Sequence, residues 1–302
     1  MSSPTRPSAP VLEYTVPSDS TIRLDAYCLQ VFAAIYTRSQ AKKWIKSGHI
    51  LLNSEAVSPA YFPKLGDRIT LCSPKSILPK YALSIPVHFE DDHMAVVFKP
   101  AGLHVSGNYP RTLRRALRHN LQPSAIPYPL PQPEPAHRLD RRTSGLLLIA
   151  KTPVAIQALG DDFANQRIKK RYRALVLGKA SDGGSREDID EKTALTQWKV
   201  VFQNRSLHTD FLTELDVFPH TGRTHQIRKH LARSGHPILG DDLYHNGLVR
   251  TDKGLFLSAV GISFLHPVLR TEHSFQIDPP NKFARYRERE ERRFRTYHQE
   301  KE

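Results

Sequence analysis

The sequence predicts an α+β protein: a mostly antiparallel mixed β-sheet with flanking helices, preceded by a small α/β unit. Two observations predict it. Over most of the chain, strand-like segments follow one another with few helices between them, the pattern of an antiparallel sheet rather than of repeated βαβ units. A proline-interrupted stretch, "PKSILPKYALSIP" at residues 74–86, separates that region from a shorter one in which helical and then strand-like patterns follow each other. At 302 residues the chain is long enough for one large domain and one small one.

In chain order, residues 1–19 are rich in Ser and Pro and are expected to form a flexible terminus. Residues 20–74 make the small unit, ending in the turn "KLGDRITL", and residues 75–86 the linker. The large domain is assigned to residues 87–280. In it "HMAVVFKPAGL" reads as a strand stopped by Pro100 and Gly102, and "TLRRALRHN" as a short basic helix. The prolines of "LQPSAIPYPLPQPEPA" predict an extended loop that delivers the chain to His137. "GLLLIAK" is a strand, and Thr152 with Pro153 starts a helix through "VAIQALGDDFANQRI". The strand "YRALVLG", a polar surface loop "SDGGSREDIDEKTA" and two alternating strands, "TQWKVVFQ" and "HTDFLTELDVF", come next. "GRTHQIRKHLARSGH" reads as a helix that closes at Gly235. Residues 281–302 are a charged tail, helical or frayed, with no catalytic role.

The 44 Lys and Arg residues against 30 Asp and Glu leave a formal charge of +14, which suits a polyanion such as nucleic acid. No apolar run approaches the roughly 20 residues that span a bilayer, and "MSSPTRPSAPVLEY" has no apolar signal core. A soluble, unsecreted, cytoplasmic monomer with no membrane partner is therefore expected. Cys28 and Cys72 lack partners at metal-ligand spacing and read as packing residues in a reducing compartment. His220, His225, His230 and His236 are not spaced for one helical face, so no metal is expected, and no glycine-rich loop cradles a nucleotide phosphate.

The stretch "HRLDRRTSGLLLIAK" sets Asp140 among three arginines, between a proline-rich loop and a segment that reads as core. A carboxylate at the edge of a core needs a cation or hydrogen bonds to stay ionised, which is also what a reactive aspartate requires. On the basic helix, Arg223, Ile227 and His230 share one face, as do Thr224, Arg228 and Leu231, so an arginine can point inward beside apolar neighbours.

"HRLDRRTSGLLLIAK" with "KKRYRALVLG", "TGRTHQIRKHLARSGHPILGDDLY" and "LFLSAVGISFLHP", preceded by "VVFKPAGL", resembles the RluA family of RNA pseudouridine synthases, in the family's order and over most of the chain after Pro86. Residues 22–71 resemble the RNA-binding module first known from ribosomal protein S-four: the "RLD" opening, the basic helix around "RSQAKKWIKSG" and the closing "GD" carry the likeness. The resemblance implies an enzyme that isomerises uridine in ribosomal or transfer RNA, with no cofactor. It implies Asp140 as the essential carboxylate, either nucleophile at the anomeric carbon or base at the neighbouring ribose carbon. It makes Tyr172 the tyrosine that stacks on uracil and Arg228 the arginine that pairs with Asp140. Leu257 packs beneath the base, Arg138 replaces the extruded nucleotide in the RNA stack, and Arg223, His225 and Gln226 join the substrate contacts. Arg38, Lys42, Lys43 and Lys46 are the RNA-binding cations of the small unit. Phe98 and Ser258 depart from residues common in the family. The alternative is a catalytically silent RNA-binding or ribosome-assembly factor.

Overall fold

The computed structural model of the chain describes residues 11–32, 34–35, 37–72, 80–127, 129–245 and 252–299. Residues 1–10 of the expected flexible terminus and 75–79 of the expected linker lie outside the described residues. No helix among the described residues is long and apolar enough to cross a membrane.

The small unit contains β1 (Val11–Thr15), α1 (Leu24–Val31), α2 (Arg38–Lys46), β2 (Ile50–Leu52) and β3 (Arg68–Cys72), with the sheet in the order β1-β3-β2. Helix α2 starts where Thr37 Oγ1 accepts from the Gln40 amide, capping an otherwise orphaned donor. Its buried residues Ala41 and Ile45, four apart, meet Leu24, Cys28, Ile50 and Ile69 in a core of the unit's own. Burial, with Asp25 nearby, pushes the Cys28 thiol up to about 12, so it packs as an unreactive apolar group. Strand β1 corrects the expectation for residues 1–19. Val11–Thr15 pairs with β3 along its whole length, because an edge strand finds its hydrogen bonds in a distant partner that local composition does not reveal.

The large sheet is built from β4 (Val87–Glu90), β5 (Met94–Lys99), β6 (Glu134–Pro135), β7 (Ser144–Ala150), β8 (Lys169–Leu177), β9 (Gly183–Ser185), β10 (Thr196–Ser206), β11 (Asp210–Pro219), β12 (Leu257–Leu265) and β13 (Glu272–Gln276). Its main order is β4-β5-β7-β12-β8-β11-β10-β9, with β6 on β7 and β13 on β12. Only the β7–β12 pairing is parallel, which makes the sheet mixed and mostly antiparallel, as expected. Helices α3 (Leu113–Asn120), α4 (Pro153–Ala164), α5 (Gln226–Arg233) and α6 (Lys282–Gln299) flank it.

Strand β7 is buried throughout and supports the segment that carries Asp140. Leu147 and Ile149 face Leu113 and Leu117 of α3, while Leu146, Leu148 and Ala150 face Ala155 and Leu159 of α4. A side chain of this size contributes about 1.5–3 kcal/mol on burial, so the strand is a firm base for the loop before it. Gly145, at φ +127°, is required where β7 meets β12: a Cβ there would stand 2.2 Å from the Ala259 carbonyl oxygen. Ser258 points away from the cavity described below, and the buried Ser144 hydroxyl donates to it at 3.1 Å.

Four further expectations change. The helix begun by Thr152 and Pro153 ends at Ala164, and Gln166 adopts a left-handed conformation just beyond it. The polar insertion contributes β9 to the sheet edge and buries Ile189 and Ala194. Residues 80–86 are extended, yet Tyr81, Leu83 and Ile85 are tied to Arg115 and Asn120 of α3. The tail is a docked helix. Phe283 and Tyr286 of α6 pack on Phe256, the Arg287 guanidinium meets Glu214 at 2.8 Å, and the fully buried Glu290 accepts from Ser206.

Candidate active site

A cavity of about 450 Å³ opens over the sheet, and all eight residues assigned above to catalysis or substrate in this domain line it: Arg138, Asp140, Tyr172, Arg223, His225, Gln226, Arg228 and Leu257. They come from the loop before β7, the middle of β8, the loop before α5 with its first turn, and the start of β12. A second groove of about 440 Å³ adjoins it, and the two share His137 and Arg138.

Asp140 is placed by its backbone, whose carbonyl accepts from Thr143 N at 3.1 Å and so closes the turn into β7. Its carboxylate takes no hydrogen bond from the described residues, and the His225 imidazole has Nε2 3.8 Å from Oδ1. Beneath the loop lies Lys99, fully buried at the end of β5, whose ammonium donates to the carbonyls of Pro100, Leu103 and Arg141. Burial lowers Lys99 to about 8, against an opposing pull from Asp140. Sequence reasoning missed Lys99 as part of the site. A lysine closing an apolar strand is ordinary in a sequence, and only its complete burial distinguishes it.

The partner expected for Asp140 has another engagement. Arg228, 2% exposed, donates through Nε and Nη2 to Asp241, both at 2.7 Å. Burial alone would lower the guanidinium, and the Asp241 hydrogen bonds override it and raise it. The same bonds overcome the effect of burial on Asp241 and hold its carboxyl below the usual range. Two such charges can be buried only as a satisfied pair. Arg228 therefore acts on Asp140 through space, its cation still felt there, rather than as a direct ion-pair partner.

His225 is held at φ +56° just before α5, in the left-handed region that few side chains adopt. Its Nδ1 shares a hydrogen bond of 2.9 Å with the Tyr244 hydroxyl, whose ring lies under the Arg228 guanidinium at 5.1 Å. Burial lowers the imidazole pKa, with Asp140 opposing. Gln226 is not free to meet a substrate: its amide donates to Leu195 O and Thr196 Oγ1 and accepts from Thr221 and the Arg223 amide, so it fixes the loop. Arg223 is exposed with one bond to Thr193 O, and Arg138 is exposed at the cavity mouth. Arg142 ties the Asp140 loop to Gly240 and Asp242.

Tyr172 packs between the two clusters of apolar side chains that flank the central strands. Burial first and Asp140 second raise its hydroxyl well above the usual tyrosine value, so it is a neutral phenol at any working pH. His137, whose Nε2 accepts from Leu148 N at 3.0 Å, is lowered to about 3 by burial and by Lys170, and stays neutral.

In the small unit the fully buried Asp25 gathers Arg23, Arg38 and Lys42 at 3.9, 3.1 and 3.6 Å. Arg38 and Lys42 remain about half exposed, and Lys43 and Lys46 stand exposed on the same helix.

Residues 93–233 match the family model described as RNA pseudouridylate synthase, and residues 22–69 match that of the S4 domain. The first span includes Asp140, Tyr172 and Arg228. A protein of Chlorobaculum parvum called an uncharacterized RNA pseudouridine synthase is 34% identical over 258 residues, 76% of this chain and 77% of that one. Ribosomal large subunit pseudouridine synthase D of Xylella fastidiosa is 32% identical over 286 residues, 82% of each chain. Among solved structures, human RNA pseudouridylate synthase domain containing 1 shares the fold, with a TM-score of 0.53 at 23% identity over 68% of this chain and 87% of that one.

Proposed function

Because this chain belongs to the RluA-type RNA pseudouridine synthases, which isomerise uridine to pseudouridine in RNA, we propose that it modifies ribosomal RNA and that Asp140 is its essential carboxylate. The observation that carries the assignment is the Asp140 side chain itself. It lies in the cavity with its hydrogen-bonding capacity unclaimed by the described residues, while the cations Lys99 and Arg228 and the imidazole of His225, which all feel it, are each fixed by bonds to other groups. Those bonds hold the neighbouring groups in place, so none of them occupies the carboxylate by direct contact.

The reaction breaks the bond from ribose C1′ to N1 of uracil and forms one from C1′ to C5. The C5 proton leaves and N1 gains one, so atoms and electrons balance without a redox or group-carrying partner. An unclaimed carboxylate serves either route, adding to C1′ as a nucleophile or removing the C2′ proton as a base. Leu257 and the Tyr172 ring offer apolar faces to a base that has left its stack, and the neutral phenol can donate a hydrogen bond to it. Exposed Arg138 at the mouth fits the role of filling the gap left in the RNA stack.

The ribosomal target rests on the names of several relatives and on the S4 domain, whose basic helix suits a folded RNA. Cys28 and Cys72 are both free thiols, which fits action in the reducing cytoplasm. Tritium release from RNA labelled at uridine C5 tests the proposal. Release is expected from ribosomal RNA transcripts and not from transfer RNA, and the reverse would refute the ribosomal target.

A further inference from the structure

Lys170 is a partly buried cation of the cavity that the Asp140 chemistry leaves unused. It lies on β8 two residues before Tyr172, so both side chains point to the same face of the strand, and both line the cavity. Lys99, His225 and Arg228 are each drawn by Asp140, whereas nothing acidic acts on Lys170, and the one titratable group it opposes is His137. Its ammonium donates a single hydrogen bond, to Thr221 O at 3.2 Å, and no carboxylate among the described residues pairs with it.

An ammonium carries three donors, so two are not taken by the described residues. Burial lowers its pKa to about 8, which leaves most molecules cationic at neutral pH. Holding such a group partly buried without an acid is unfavourable unless an anion arrives with the ligand. Uridine is uncharged, and the anions that RNA brings to a pocket are its phosphodiesters. We propose that Lys170 receives the phosphodiester next to the extruded uridine and clamps the nucleotide in the cavity at a point that Asp140 does not neutralise. The inference rests on the reading of this cavity as the place where the uridine is isomerised.

The test compares an RNA substrate with two copies bearing one neutral methylphosphonate, 5′ or 3′ to the target uridine, on the wild type, Lys170→Met and Lys170→Arg. One of the two neutral linkages should raise KM for the wild type about tenfold, and the same change should cost Lys170→Met less than about twofold. Lys170→Met on native RNA should raise KM about tenfold with kcat within about twofold, and Lys170→Arg should recover most of the loss. Equal penalties from the neutral linkages in wild type and Lys170→Met would overturn the proposal. So would a fall in kcat at unchanged KM, which would move the charge to the rearranging base. The wild-type measurements stand whether or not Lys170→Met folds. Asp140→Asn in the same assay separates the two readings, since turnover by that variant would refute the cavity assignment and not the phosphate contact alone.

Discussion

In the S4 domain a single buried acid, Asp25, is surrounded by Arg23, Arg38 and Lys42 and accepts two hydrogen bonds from the Arg38 guanidinium. In the cavity a single acid, Asp140, takes no hydrogen bond from the described residues: the His225 imidazole stands 3.8 Å away, and Lys99 and Arg228 are each bonded to something else. The same chemistry serves opposite ends. Asp25 positions cations, which remain half exposed and available to a phosphate backbone. The cations of the cavity are held by other groups, and the acid beside them remains available to a substrate. Whether a charge is structural or functional is decided by which partner has its hydrogen bonds already made.

The largest effect expected from breaking this contrast is at Asp140. Asp140→Asn should lower turnover by more than about a thousandfold while RNA affinity stays within about tenfold, because affinity resides in dispersed phosphate contacts. Tritium release and filter binding on the same preparation check it, and parallel loss of both would count against a chemical role. Next comes the cation-holding acid of the cavity. Asp241→Ala leaves the Arg228 guanidinium buried without its partner and should destabilise the protein by about 3–5 kcal/mol in urea melts. Asp25→Ala leaves cations that already meet solvent, and should cost about 1 kcal/mol.

Acid should affect the catalytic domain through His137. Its folded pKa is about 3 and its unfolded value near 6.5, so between them the unfolded chain binds a proton that the native chain does not. Stability is then present above about pH 6.5 and declines as the pH falls toward 3, and His137→Gln should flatten that part of the profile. The smallest effect belongs to the exposed pair on α2. Lys43→Glu with Lys46→Glu should weaken RNA binding about tenfold and shrink its salt dependence by about one to two counterions, with turnover at saturating RNA unchanged. An unaltered salt slope would remove α2 from the RNA interface.

Asp140, just before a strand of mostly apolar residues, and Arg228, on a helix where an arginine can point inward, stood out from their own surroundings, whereas Tyr172 and the roles of the other cavity residues were legible only through the family resemblance. Partners were less legible. "GDDLY" contains two adjacent acids, and nothing in the string shows that Asp241 turns inward to Arg228 while Asp242 stays at the surface. Lys99 and Lys170 passed unmarked for a related reason, since burial and the absence of an acid are properties of the packed state. At the chain ends composition misled. The strand at Val11–Thr15 depends on β3, more than 50 residues away, and α6 buries Phe283, Tyr286 and Glu290 within a segment rich in Arg and Glu.

The central claim is that the Asp140 carboxylate makes pseudouridine in ribosomal RNA. Pseudouridine maps of ribosomal RNA from cells with the intact gene, with the gene deleted and with only an Asp140→Asn allele test it most directly. The account predicts that the same uridine or uridines lose the modification in both altered strains while the variant protein is still present at its normal level. Modification retained with the Asp140→Asn allele, at a site lost on deletion, would contradict it.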